Sequence, residues 1–455
     1  MTYNVNNVAY EPVRSKELPP LPKVKQIAML VDDENYSQVD LYAQHILRVL
    51  PQDAHANLAC AWVAAHLGFD EQLHRCFETA KQSGETMVPN RPVELIAQDL
   101  RIDLPALLTS LKERPNKEGN QAAKLIKESN KPYFHLAKAW GFGFGSEMSA
   151  VMGQAYMAEA MGRELIVHWG SNFLYRPSEG SDCVFNYYFE PFNALTMNDA
   201  FAVVENTFPA KWQKKTLALE NLGKRNGEYS KLSALYFLNR EERLTVSDYY
   251  AGVVNIRPWL SDDSPLKKLS LDDAYRYLAK KYLQPKQNIV VEVDEFVKQN
   301  LSCEFVAVHA RGSDKDEGYR ALTSIPGKTL ECAKQRLSSM SEGAKLFLMT
   351  DDIALLEVYQ NEFGDRLVQT DCQRCDTQVG VHYDDSTDKH RAGREMLIDM
   401  LVAARANCFI GLGLSNPSQL IRYFGDFTDD NYILFGENRL KQLNTHLYKT
   451  ISVRS

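Results

Sequence analysis

The chain has no run of about eighteen apolar residues, so no transmembrane helix is expected along its 455 residues. Its first stretch, MTYNVNNVAYEPVRSKELPPLPKVKQ, carries neither an apolar segment nor a small-residue cleavage pattern. No secretory leader is expected, and the compartment reads as cytoplasmic. An excess of positive charge is missing too. Lys and Arg number 52 against 59 Asp and Glu, a net charge of −7, and the basic residues form no runs. That balance excludes a protein that tracks nucleic-acid phosphates. The eight cysteines follow no framework spacing. Cys372 and Cys375 make one CxxC with no second pair to complete a zinc site, so reduced thiols are expected there.

What is present is ordinary globular composition, 44% hydrophobic and 24% charged, with enough length for two or three cores. Residues 1–34 contain PPLP and little periodicity and read as an extended arm. Residues 35–130 turn helical. Within them AQHILRVLPQDAHANLACAWVAAHLGFDEQLHRCFETAKQ resembles a tetratricopeptide repeat, carried by Pro51, Leu58, Ala59, Trp62, Ala65, Leu67, Gly68, Phe69 and Ala80. Pro89 and ELIAQDLRIDLPALLTSL continue the helical pattern. One or two repeats fall short of the roughly three that a free-standing array needs. A helical cap on the next domain is therefore expected, the alternative being a protein-docking or self-association module.

Residues 131–300 and 301–440 both alternate strand and helix, which predicts an α/β fold with parallel sheets. In the first segment YFHLAKAW, GFGFG, SEMSAVMGQAYMAEAMG and RELIVHWG read as strand, glycine loop, helix and strand. Ser146 suits the N-cap, and Met148, Met152, Ala155, Tyr156 and Ala158 share one helical face. Residues from about 195 to 290 read as mostly helical. In the second segment FVAVHA, KLFLMT, RLVQT, CFIGLG and NYILFG are strands, the most apolar of them continuous, as doubly covered strands must be. Between them lie the helices IALLEVYQNEF, with Asp352 as N-cap, REMLIDMLVAARA and PSQLIRYFG. Residues 441–455 form a tail. Two such sheets predict domains facing across a cleft, with ligands at the carboxyl ends of the strands.

The densest chemistry stands in FVAVHARGSDKDEGYR, where a buried strand runs into His309, Arg311 and Lys315. Arg311 offers a planar fork matched to a pair of pyrophosphate oxygens, and Lys315 adds a point charge. In glycosyl transfer from a nucleoside diphosphate, negative charge grows on the leaving group as the sugar becomes oxocarbenium-like. Fixed cations at that place favour the transition state over the ground state.

The run His309-Ala310-Arg311-Gly312-Ser313-Asp314-Lys315 resembles the hallmark of the core α1,6-fucosyltransferases and the rhizobial nodulation fucosyltransferases, and more distantly the protein O-fucosyltransferases. MTDDIALLEVY, REMLIDMLVAARANCFIGLGLSNPSQLIR, GFGFGSEM and NFLY are similar to that family's elements in the same order, as are RPWL and YLQP. The resemblance implies two Rossmann-like domains of the GT-B type, an inverting reaction with GDP-fucose as donor, and no cofactor or divalent metal. By the same carry-over Arg311 holds the β-phosphate, and His309 and Asp399 hold the nucleoside. Ser415 contacts the diphosphate, helped by the positive end of the helix that follows. Gly143 and Tyr175 complete the donor set, and the acceptor lies towards the same glycine loop. Gly312 stands where the core enzymes have a second arginine, which removes part of the phosphate charge. Tyr319 nominally matches the family's base; Glu317, with Asp316 beside it, is the carboxylate chosen here, because an inverting displacement needs one on the acceptor hydroxyl. The acceptor is a glycan or a protein.

Structural alternatives stand beside each assignment. Arg311 can pair with Asp314 or Asp352, His309 with a neighbouring carbonyl, and Ser415 can cap its helix. Asp399 lies on an inward helix face and needs a partner, ligand or internal. GFGFG can be a tight turn alone. The loop from Cys372 through HYDDSTDKHR, with His382, has no assigned role. For the whole chain the alternatives are another nucleotide sugar, or a non-catalytic glycan- or protein-binding module with a degenerate cleft.

Overall fold

Apolar runs bounded by glycine and polar turns become the strands of two parallel sheets, behind a bundle of helices. The computed structural model describes residues 23–34, 36–67, 70–86, 90–113, 132–170, 172–177, 183–208, 212, 214–217, 237, 240, 242–248, 250–257, 260, 264–311, 325–374, 388–436 and 438–441. Outside them lie most of the expected arm and tail, Gly68, Phe69 and Pro89. Gly312, Ser313, Asp314, Lys315, Asp316, Glu317 and Tyr319 lie outside too, with Cys375 and His382.

The first six helices are α1 (Val24–Asp32), α2 (Tyr36–Val49), α3 (Ala54–Leu67), α4 (Asp70–Thr86), α5 (Val93–Leu100) and α6 (Leu104–Glu113), so the described end of the expected extended arm is instead a helix, which buries Ile27, Leu30 and Val31. Small buried residues, Ala56, Ala59, Cys60, Ala61 and Ala64, let other helices approach α3 closely. It meets α2, α4, α5 and α6, and α1 closes on α5, so the helices gather around one centre. Asp99 of α5 ties the bundle together by accepting from Arg91 Nε at 2.7 Å and pairing with His55 Nε2 at 2.9 Å. Among the described residues no helix is long and apolar enough to cross a membrane.

The first sheet contains β1 (Phe134–Lys138), β2 (Glu164–His168), β3 (Thr207–Phe208) and β4 (Leu244–Ser247), in the order β2-β1-β4-β3 and parallel throughout. Helix α7 (Phe144–Ala160) links β1 to β2, the expected βαβ unit. Two expectations are corrected here. The stretch from 195 to 290 supplies β3 and β4 and several single-turn helices before the long ones, Leu271–Tyr282 and Gln287–Asn300. Strands of two and four residues are too short to display a period of two. The N-cap of α7 is Gly143 and not Ser146, which lies inside the first turn with its N–H on the Gly143 carbonyl at 2.8 Å.

The second sheet holds every strand expected of it: β5 (Phe305–His309), β6 (Lys345–Met349), β7 (Leu367–Val368), β8 (Cys408–Leu412) and β9 (Tyr432–Phe435). Their order is β7-β6-β5-β8-β9, all parallel. Asp352 caps the helix Ile353–Phe363 as expected, its carboxylate accepting from Leu355 N at 3.1 Å. One face packs Val306, Val308, Leu346, Leu348 and Ile410 into a core of its own. The other turns Ala307, Phe347 and Phe409 into a core continuous with α7 and the N-terminal helices.

The halves join at two places where a side chain is missing. A Cβ on Gly145, in the first turn of α7, would stand 2.6 Å from Pro417 Cδ, just past β8. One on Gly393, in the helix Lys389–Ala403, would stand 2.8 Å from Tyr175 Cβ and from Tyr188 Oη. Both α7 and Pro417 follow strand ends, so the carboxyl edges of the two sheets face one another. The helix Gln287–Asn300, although before the expected boundary at 300, packs on Lys389–Ala403 with Glu292 paired to Arg394.

Candidate functional site

The second sheet reverses its order at β5: the chain moves to β6 on one side and later returns to β8 on the other. Such a switch point is where an open parallel sheet leaves a crevice beyond its strand ends. His309 is the last residue of β5 and is buried. Its Nδ1 lies 2.7 Å from Ser418 Oγ, which also accepts from Leu412 N at 3.2 Å. Burial, and then the Arg311 cation, push the imidazole down to about 3, so it is neutral at physiological pH. Arg311 follows, half-buried, two residues past the strand.

Beyond β8 the chain turns through Gly413 into Ser415, which is fully buried at the N-cap position of the helix Asn416–Ile421. Its side chain makes no capping bond, and Ser415 Oγ has no hydrogen-bond partner among the described residues. Gln419 donates through Nε2 to the Gly413 carbonyl, while its Oε1 is likewise buried and unpaired. Buried polar atoms are nearly always satisfied. Two unsatisfied oxygens within one turn therefore mark a place built for a polar group.

Asp399 is tied to the segment just past β7, and no hydrogen bond joins it to His309 among the described residues. It accepts from Thr370 Oγ1 at 2.6 Å. Burial raises its carboxyl to about 7 against the Thr370 hydrogen bond and the Arg374 cation, which pull the other way. Arg374 donates to the carbonyls of Cys372 at 3.1 Å and Thr370 at 3.0 Å, and Glu395 accepts from Gln373 N at 2.8 Å. The segment after β7 is thereby laid against the helix Lys389–Ala403. Burial, with Asp399 adding to it, lifts the Cys372 thiol to about 12, which leaves it inert as a thiolate nucleophile.

The glycine loop across the joint is organised from within. Glu147 of α7 is buried and accepts from the backbone N–H groups of Trp140 at 3.1 Å, Gly141 at 2.7 Å and Phe142 at 3.1 Å. Those three amides therefore serve a carboxylate of the protein. Gly141 has φ +84°, a conformation side chains rarely adopt. Gly143 has room: a Cβ there would find only Tyr175 Oη, at 3.9 Å. Tyr175 is buried in the joint, its ring edge-on to Phe144 at 5.5 Å and its carbonyl accepting from Tyr188 Oη at 2.5 Å.

The fold is similar to that of solved fucosyltransferases. The NodZ alpha-1,6-fucosyltransferase co-crystallized with GDP is 16% identical, over 65% of this chain and 92% of that one, with a TM-score of 0.43. A mutant of Arabidopsis thaliana FUT1 in complex with GDP is 10% identical, over 71% of this chain and 82% of that one, also at 0.43. POFUT1 in complex with GDP is 14% identical, over 65% and 95%, at 0.39. No family profile matches the sequence, and no curated protein does.

The structure thus gathers His309, Arg311 and Ser415 at the β5–β8 switch point, and Gly143 and Tyr175 where the other half abuts it. Asp399 it sets at the β7 end, and Lys315 and Glu317 lie outside the described residues. Among those described, no three His, Cys, Asp or Glu side chains converge as metal ligands. Ser418, Gln419, Thr370, Arg374 and Glu147 complete these clusters and were not singled out from the sequence. For Ser418 the signal was there: it stands three residues after Ser415, on the same short helix.

Proposed function

We propose that the chain is an inverting glycosyltransferase that moves fucose from GDP-fucose to a hydroxyl of a glycan or glycosylated acceptor, without a metal ion. The observation that supports it best is the end of β5. There β5 ends in a neutral imidazole bonded to Ser418 and a guanidinium two residues on, and the neighbouring strand β8 leads into the unpaired hydroxyl of Ser415, at the switch point of a parallel sheet. In this scheme Arg311 takes the β-phosphate oxygens and Ser415 donates to the diphosphate. His309 and Asp399 take the nucleoside, where a carboxylate suits the paired N–H donors of guanine. Glu317 removes the acceptor proton, the freed oxygen bonds to the anomeric carbon, and the bond to the diphosphate breaks. Its electron pair goes to the phosphate held by Arg311 and Lys315.

Calorimetric titration with GDP, UDP, ADP and GDP-fucose in EDTA tests this directly. Metal-free binding of GDP and GDP-fucose is expected. UDP binding in their place would keep the glycosyltransferase and discard the fucosyl donor. Absence of all nucleotide binding would leave a non-catalytic module. Arg311→Ala with unchanged turnover would remove the phosphate assignment.

A further inference from the structure

We infer that Ser418 is a positioning residue that holds His309 in its Nε2–H tautomer, so that β5 ends in a fixed, neutral hydrogen-bond donor. A ligand atom meeting that nitrogen must then be an acceptor: a phosphate oxygen, a ribose oxygen or a base carbonyl. The inference rests on the proposed function only for the identity of that ligand.

The argument is an account of one proton. Ser418 is fully buried, and its hydroxyl makes two hydrogen bonds. In one it accepts from Leu412 N, since a backbone amide can only donate. The other joins it to His309 Nδ1 at 2.7 Å, and no other acceptor faces the hydroxyl among the described residues. If Nδ1 carried the hydrogen, the serine would accept twice and its own buried proton would have no acceptor, an arrangement proteins avoid. The satisfied arrangement is Leu412 N–H to Ser418 Oγ, and Ser418 O–H to Nδ1. The imidazole hydrogen then sits on Nε2.

The surroundings are shaped for this pair. The ladder of β5 and β8 matches Val308 with Ile410, which sets His309 level with Gly411. A Cβ on Gly411 would stand 2.7 Å from Ser418 Oγ and 2.7 Å from the Phe409 ring. Gly411 therefore leaves the space in which the serine reaches the histidine. Tyr432 Oη donates to the Ser418 carbonyl and anchors the helix turn from below.

Nitrogen-15 NMR of imidazole-labelled protein at neutral pH reads the tautomer without any ligand, and a difference spectrum with His309→Gln assigns the signal among the ten histidines. The expected result is an unprotonated Nδ1 and a protonated Nε2. A proton on Nδ1 in the wild-type protein overturns the inference. Ser418→Ala and Gly411→Ala should each replace that signature by the average of two exchanging tautomers, and an unchanged spectrum in both would also overturn it. GDP titration adds a coupling test. Ser418→Ala should weaken GDP binding about tenfold in the wild-type background and add nothing in His309→Ala, because it acts through that ring. Equal losses in both backgrounds would reduce Ser418 to a purely structural role. If wild-type protein binds no GDP, the proposed function fails while the ligand-free spectrum still decides the tautomer.

Discussion

Gly145 and Pro417 meet where the two halves of the chain join, with 2.6 Å between the place of a Cβ on the glycine and Pro417 Cδ. Neither side can yield easily, since one is helix backbone and the other a proline ring beside β8. Gly145→Ala should therefore cost about 1–3 kcal/mol, the usual penalty for overpacking. Two positions away, Gly143 is free of such crowding and occupies an N-cap, where serine is favoured. Gly143→Ser should unfold like the wild type in urea. If Gly143→Ser folds normally but loses GDP affinity, the donor assignment of that glycine gains support, and unchanged affinity would remove it.

Glu147 is the internal anchor of the same loop. With Glu147→Ala, three backbone N–H groups lose their acceptor at a buried place. At about 1–3 kcal/mol for each unsatisfied donor, the loss should reach at least ~3 kcal/mol. Glu147→Gln keeps an oxygen where Oε1 now stands and should cost clearly less. Chemical denaturation of the two variants side by side checks the ranking, and equal stability of both with wild type would refute the anchor.

Two buried titratable residues of the candidate site, Asp399 and His309, should tilt stability against pH in opposite directions. Asp399 is raised to about 7 when folded, from an ordinary value of 3.8. The folded state then holds more protons between those values, and stability from this group falls as pH rises through the window. His309 is lowered from 6.5 to about 3. The unfolded state holds more protons there, so its contribution rises with pH between about 3 and 6.5. Relative to wild type, Asp399→Asn should gain stability from pH 4 to 7, and His309→Gln should lose it from pH 3.5 to 6.5. Each slope is about 1 kcal/mol per pH unit. Urea unfolding at several pH values measures both, and slopes of the same sign would contradict the burial of one of the pair.

The second domain was legible because its strands are buried on both sides. FVAV and LFLM are apolar throughout, as a doubly covered parallel strand requires, and they are too short for the helices between which they lie. Their ends then located His309 and Arg311 without further information. The first domain was legible only in β1, α7 and β2. β4, with four residues, and β3, with two, carry too little pattern, and their place was set by pairing with β1. Contacts between distant segments were out of reach for the same reason. Nothing local says that Glu147 turns back onto the loop before it, or that Thr370 meets Asp399 across 29 residues. Ser415 and Ser418 share one short helix, and only the direction of each hydroxyl separates the unpaired one from the one that serves His309.

That separation yields the prediction in which stability and function part company. Ser415 is fully buried, yet its Oγ has no partner among the described residues and does not cap its helix. A hydroxyl in that condition adds nothing to folding, and its removal relieves an unmet hydrogen bond. Ser415→Ala should leave the unfolding free energy within about 0.5 kcal/mol of wild type or raise it slightly. If the hydroxyl serves the diphosphate, the same variant should bind GDP about tenfold more weakly, the effect of one hydrogen bond to a charged group. Thermal unfolding and calorimetry on one preparation give both numbers. A destabilised variant with intact GDP binding would mean that Ser415 is structural after all, and the donor site would then have to be sought without it.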